Sequence, residues 1–180
     1  MKKVISLVFV ISVFIFNALY VWMQYQDRLN VYRRPMQSEL STIHEALVKY
    51  YELKKQLPVV LEDLYKGTSD KNVFLKSLEA PANDEISFFS KGEKYYLPFL
   101  YDAELRKTYK DSPHDTIIVA SPRFKNKRYV LQLKDVINYH PTQYTVTTDV
   151  IIAMDEDNFQ KQAKKQNWQI PIQPPVNRKY

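Results

Sequence analysis

Residues 7–58, LVFVISVFIFNALYVWMQYQDRLNVYRRPMQSELSTIHEALVKYYELKKQLP, decide how the rest of the chain is read. They begin inside an apolar run and end at a Leu-Pro pair, with nothing of linker composition between. Val4 to Met23 is twenty residues without a charge, and Ser6, Ser12 and Asn17 are its only strongly polar members. A helix of that length reaches about 30 Å, the hydrocarbon thickness of a bilayer. Tyr20, Trp22 and Tyr25 stand at its far end, where amphipathic rings favour the headgroup layer. A cleaved secretory signal has a shorter apolar core, about 7–15 residues, followed by a small-x-small exit. The exit here, Ala18-Leu19-Tyr20-Val21-Trp22-Met23, offers no such site. The expectation is a retained, single-pass signal anchor over residues 4–24. Lys2 and Lys3 flank its start, and Arg28, Arg33 and Arg34 its exit. A short N-terminus ahead of the bulk of the chain places residues 1–3 in the cytoplasm and the remainder outside it, in a periplasm.

Beyond the anchor, Leu40, Ile43, Leu47, Tyr50, Tyr51 and Leu57 recur at helical spacings, with Glu39, Glu45, Lys49, Glu52 and Lys55 mostly on other sides. This predicts an amphipathic helical spine over residues 25–57 that lays one stripe on a sheet and stops at Pro58. Pro35 either starts a new helix at its first turn or kinks a continuous one. Thr42 and Glu45 have the spacing of a capping box. Val59 to Tyr65 and Lys71 to Leu78 read as short helices, the first closed by Gly67.

After Pro81 the apolar period changes. Glu85 to Ser90, Tyr95 to Leu100, Thr116 to Ala120, Arg128 to Lys134 and Tyr144 to Met154 are β-rich runs bounded by turn residues, and Lys91-Gly92-Glu93 reads as a hairpin turn. Phe159 to Trp168 reads as a closing helix, and residues 169–180 as a Pro-rich extended tail. The fold class is therefore α+β: a long N-terminal helix, half transmembrane and half amphipathic, packed on a mostly antiparallel sheet, with residues 58–168 as the globular head.

The run Glu45-Ala46-Leu47-Val48-Lys49-Tyr50-Tyr51, continuing through Leu57-Pro58 to Leu61-Glu62-Asp63-Leu64, resembles the type IV pilins and the pseudopilins of type II secretion. Asp149-Val150-Ile151-Ile152-Ala153-Met154-Asp155 is similar to the late strand of such heads. The resemblance implies a pilin-like fold and a structural role in a secretion, pilus or DNA-uptake machine of a bacterial inner membrane, among other envelope-assembly proteins in a hetero-oligomer. Two departures go with it. The chain has no glycine before Gly67, where the family carries its prepilin peptidase site, and no acid between Met1 and Gln26, where the family carries a buried glutamate that pairs with a neighbour's N-terminal ammonium. A permanently anchored component, not a processed filament subunit, is the form these departures imply.

Composition narrows the chemistry. There is no cysteine, so neither disulfides nor a thiolate site can form, and two glycines leave no phosphate-binding loop. His44, His114 and His140 have no second ligand at zinc spacing, and His44 reads as a packed residue. Asp155, Glu156 and Asp157 form one acidic cluster, which favourable charge at a helix N-terminus explains. Calcium is the ion the resemblance implies for it, with Asp155 and Asp157 as candidate ligands; otherwise no cofactor is expected, and no enzyme. The net charge of +6 is scattered more than clustered, so nucleic acid is not the expected partner. With 14 tyrosines in the chain, Tyr95, Tyr96, Tyr101, Tyr129, Tyr139 and Tyr144 are the candidate interface with partner proteins, beside membrane lipid at the anchor. The alternative is a tethered binding module for an envelope polymer or nucleic acid, using Lys125, Lys127 and Arg128 beside Tyr129.

Overall fold

A computed structural model describes residues 2–67, 71–82, 95–138 and 150–170. The expected strand at 85–90, the turn at 91–93, the first part of the expected strand from 144, and residues 171–180 lie outside these. One helix, α1 (Lys2–Lys54), carries both the apolar run and the amphipathic run. Pro35 lies inside it: the proline removes one backbone donor, yet the helix continues on both sides. Thr42, read as a possible cap, is instead mid-helix, its hydroxyl turned back to the Ser38 carbonyl at 3.2 Å.

α1 ends before Pro58. Lys55 takes a left-handed backbone (φ 51°) while its N–H bonds the Tyr51 carbonyl, and the chain leaves the helix there. Leu57 is therefore a loop residue and not part of the helical stripe, although it is fully buried. The carbonyls that α1 and this turn leave without backbone partners are met from afar. Tyr109 Oη donates to Lys55 O (2.9 Å), Arg106 Nε to Leu57 O (3.1 Å) and Tyr101 Oη to Pro58 O (2.7 Å). A 3-10 helix (Leu61–Gly67) and α2 (Lys71–Ser77) follow. The 3-10 helix runs through Gly67 and does not stop before it.

The described strands form two antiparallel sheets, where a single sheet is expected from the sequence. β1 (Glu79–Ala82) pairs with β2 (Tyr95–Pro98), and a second sheet has the order β3 (Leu100–Tyr101), β4 (Ile117–Ala120), β5 (Lys127–Gln132), β6 (Ile152–Asp155). β1 contains Pro81, which is tolerated because, among the described residues, β2 is its only strand neighbour. Its buried Ala80 and Ala82 share one face, and β1 packs on α1. The run expected as one strand over 95–100 is split at Phe99. The Phe99 N–H still bonds Leu78 O beside β1, while Asp102 N–H already bonds Ile118 O beside β4, so this segment passes from one sheet to the other.

The four-stranded sheet is covered on both faces. On one side Ile118, Val119, Tyr129 and Leu131 meet the α1 stripe of Leu29, Tyr32, Met36, Leu40, Ile43 and Leu47. On the other, Ile117, Ala120 and Val130 meet Phe159 and Ala163 of α5 (Glu156–Lys165). Consecutive residues of a regular strand point to opposite faces, yet Ile118 and Val119 share one; the register shift between Ile117 and Val119 is the bulge that allows it. Two short helices, α3 (Leu105–Thr108) and α4 (Lys134–Ile137), complete the head. α5 begins at Asp155, whose carboxylate accepts from Asn158 N (3.0 Å). It ends in a Schellman turn, with Asn167 at φ 57° and Trp168 N–H bonded to Ala163 O (2.9 Å).

Candidate functional site

Two ends of the molecule differ. At one, α1 leaves the head: every residue from Phe9 to Gln24 is exposed, including Phe14 at 73% and Phe16 at 75%. Asn17, one of the polar residues within this stretch, turns its amide back to Val13 O (2.8 Å). The helix is long and apolar enough to cross a membrane, and none of that apolar segment is covered by the head.

Where this segment meets the head, the β4–β5 hairpin lies against it. Phe124 and Lys127 exchange two backbone hydrogen bonds (2.8 and 3.0 Å), with Lys125 and Asn126 both at positive φ (47° and 58°), a two-residue turn of the I′ type. Phe124 stacks on Tyr32 of α1 with ring centroids 5.4 Å apart. Lys125 hydrogen-bonds the Tyr25 hydroxyl and sits 4.6 Å from the centroid of that ring. Further along, Tyr129 meets Arg33, and His44 meets the Asp135 carbonyl at 2.8 Å. β5 thus runs in the same direction as α1, and the hairpin tip is the part of the sheet nearest the projecting helix. α5 starts at the same end, where Glu156 N–H bonds Asn126 O (2.9 Å).

Arg128 is committed to the interior of this end. Its guanidinium takes the Glu156 carboxylate at 2.7 and 3.2 Å, donates to Ser121 O at 2.9 Å and lies 4.8 Å from the Phe159 ring centroid. Both ionic side chains are nearly buried, so this pair braces α5 against the sheet.

The other end holds a cleft of about 400 Å³ between α3, the start of β4 and the end of α5. Gln166 dominates its wall. Its amide bonds both Ile117 N (3.1 Å) and Ile117 O (2.8 Å), as a neighbouring strand would, and also reaches Asp102 Oδ2 (3.0 Å). Burial pushes the Asp102 carboxyl above its ordinary value, against the lowering effect of that hydrogen bond. Nearby, burial also raises the Tyr101 phenol. Leu53, Val59 and Val60 are exposed apolar side chains around the end of α1.

The residues singled out from sequence divide accordingly. Leu40, Ile43, Leu47 and Leu57 are fully buried, and Tyr50 and Tyr51 are half-buried against the same core. Of the tyrosines, Tyr95 and Tyr96 are half-buried on β2, and Tyr101 is half-buried with its hydroxyl spent on Pro58. Tyr129 is a core residue at 7% exposure and has no surface to offer. Tyr139 and Tyr144 lie outside the described residues. Asp155 is occupied as the cap of α5, while Asp157 is exposed in its first turn. Among the described residues no three His, Asp or Glu side chains gather as a metal site. The polymer-binding set of Lys125, Lys127, Arg128 and Tyr129 is not assembled on one surface, because Arg128 and Tyr129 face inward.

Sequence reasoning missed the Lys125–Tyr25 contact and the Asp102–Gln166 pair, whose members are far apart in the chain. It also missed Leu29, Tyr32 and Met36, which the same three-and-four spacing could have found upstream of Pro35. No family model, curated protein or solved structure matches this chain.

Proposed function

We propose that this protein is a pilin-like, permanently anchored component of a bacterial envelope machine of the secretion, pilus or DNA-uptake type, single-pass in the inner membrane with its head in the periplasm. It acts through contacts with other proteins. The observation that carries this reading is the unbroken α1, bare over Phe9–Gln24 and buried in the head from Leu29 onward. A module that captures a polymer is served by a flexible tether, which widens its reach. Here the anchor is the spine of the head, so the head's orientation to the bilayer is set by the helix. That is useful to a part that must meet neighbours in register. Tyr95 and Tyr96 on β2, with Leu53, Val59 and Val60 at the far end, supply the surfaces for such neighbours. The inward-facing Arg128 and Tyr129 weigh against the polymer-binding alternative.

The test is a flexible Gly-Ser insertion between Asp27 and Arg28. Native purification in mild detergent should yield stoichiometric partner proteins with the parent chain and lose them with the insertion, while membrane retention and head stability persist. A parent chain that purifies alone, or an insertion that leaves its partners in place, overturns the proposal.

A further inference from the structure

The hairpin tip and the exit of the apolar segment meet at one level, although they are about a hundred residues apart in sequence. Tyr25 is two residues beyond Met23, or about 3 Å along the helix axis, and Arg28 is about 7 Å beyond it. The polar layer of a bilayer is about 5–7 Å deep on each side. With Lys125 bound to Tyr25, the tip is held within that layer whenever Phe9–Met23 lies in hydrocarbon. The hold is firm: Phe124 stacks on Tyr32, and the backbone of Asn126 is tied to the start of α5.

The hairpin turn, residues 122–127, carries three cations and no acid. Arg28 of α1 and Arg123, Lys125 and Lys127 of the hairpin carry the cations, and Arg123 and Lys127 are exposed. Among the described residues the acids at this level are Asp27, Asp155, Glu156 and Asp157. Glu156 is paired with Arg128, which leaves Asp27, Asp155 and Asp157 beside these four cations, three of them within the hairpin turn. We infer that the β4–β5 hairpin is a docking surface for anionic lipid headgroups of the bilayer that α1 enters. The inference rests on the membrane-spanning reading of α1. The tip's own aromatic, Phe124, is buried in its stack with Tyr32, so the contact is ionic and superficial and does not insert an apolar wedge. Each Lys or Arg near an anionic surface strengthens such docking roughly fivefold, an effect that fades with salt.

The experiment is hydrogen exchange of the full chain in lipid nanodiscs, comparing zwitterionic discs with discs that include anionic lipid. Amides of residues 122–128 should exchange at least fivefold more slowly in the anionic discs, while those of 103–112, at the far end, should not change. High salt should erase the difference, as should Arg123→Glu with Lys125→Glu. The lipid and salt arms use the unaltered chain, so they stand even if the double variant misfolds. Equal exchange of 122–128 in both disc types, with residues 9–23 protected, overturns the inference and leaves the anchor intact. Residues 9–23 unprotected in both, with the chain lost from the discs, overturns the anchor reading and the inference with it.

Discussion

The two halves of α1 share one backbone and almost one length, yet they answer to different surroundings. From Leu29 to Leu47 the buried side chains are Leu29, Tyr32, Met36, Leu40, Ile43, His44, Ala46 and Leu47, a stripe with Arg33, Arg34, Glu39 and Glu45 on the remaining sides. From Phe9 to Met23 apolar residues surround the whole circumference, and nothing among the described residues covers them. A stripe needs a surface on one side, and here it has the sheet. A helix that is apolar all round needs an apolar medium. The single helix therefore carries two kinds of apolar surface, one buried within the chain and one bare and long enough to cross a membrane.

Truncations separate the two most sharply. Leu40→Ala should destabilise the head by about 2–5 kcal/mol in chemical denaturation, because it opens a cavity beneath the sheet. Phe14→Ala, with the same chemistry in the bare half, should leave the head's denaturation curve unchanged. If both variants shift the curve alike, the bare half is packed after all. A charge reverses the pattern: Ile15→Lys should cost membrane insertion about 2.5–3.5 kcal/mol, read as protein released in membrane fractionation, with the denaturation midpoint of the head unmoved.

Pro35 tests whether the wrapped half is held by its helix or by its stripe. A proline in a helix interior costs about 3 kcal/mol relative to alanine, less up to about 1 for the freedom it removes from the unfolded chain. Pro35→Ala should raise head stability by about 2 kcal/mol in the same denaturation assay. No gain would mean that the break at Val31 O is already compensated by its neighbours.

The smallest effect concerns pH. Phe9–Met23 carries no charge, so retention in the membrane should not vary between acid and neutral pH. The head should vary, because burial raises Asp102 and Asp135. A folded-state carboxyl that holds its proton to higher pH than the unfolded chain contributes stability that is full below the ordinary value near 3.8 and is lost as pH rises through the raised value. Melting temperatures taken across that window should fall with pH, and more shallowly in Asp102→Asn. Parallel curves for the two proteins would assign the slope to other groups.

Much of the fold was legible beforehand because it is written locally. The uncharged run, the stripe at Leu40, Ile43 and Leu47, and the β-rich runs that became β4, β5 and β6 all follow from periods of about 3.6 and 2 along the chain. Pro81 hid β1, since a proline argues against a strand until its position at an edge is known. Proline is the visible breaker, so the sequence alone points to Pro58 as the end of α1. The helix stops at Lys55 instead, where Tyr101, Arg106 and Tyr109 wait to bond the carbonyls released there. Tyr129 reads from sequence as an interface tyrosine because residue type alone does not say which side of a strand is covered.

By itself the sequence determined which segments are apolar, with what period, and hence that a membrane-length helix continues into an amphipathic one ahead of a sheet. Only the tertiary structure decided what covers each face: α1 on one side of the sheet, α5 on the other, and the hairpin tip drawn to Tyr25 by Lys125. The reason is physical. Periodicity is a property of neighbours along the chain, whereas a hydrogen bond or an ion pair between residues a hundred positions apart depends on how the strands are ordered and registered, and that leaves no mark on either residue's local surroundings.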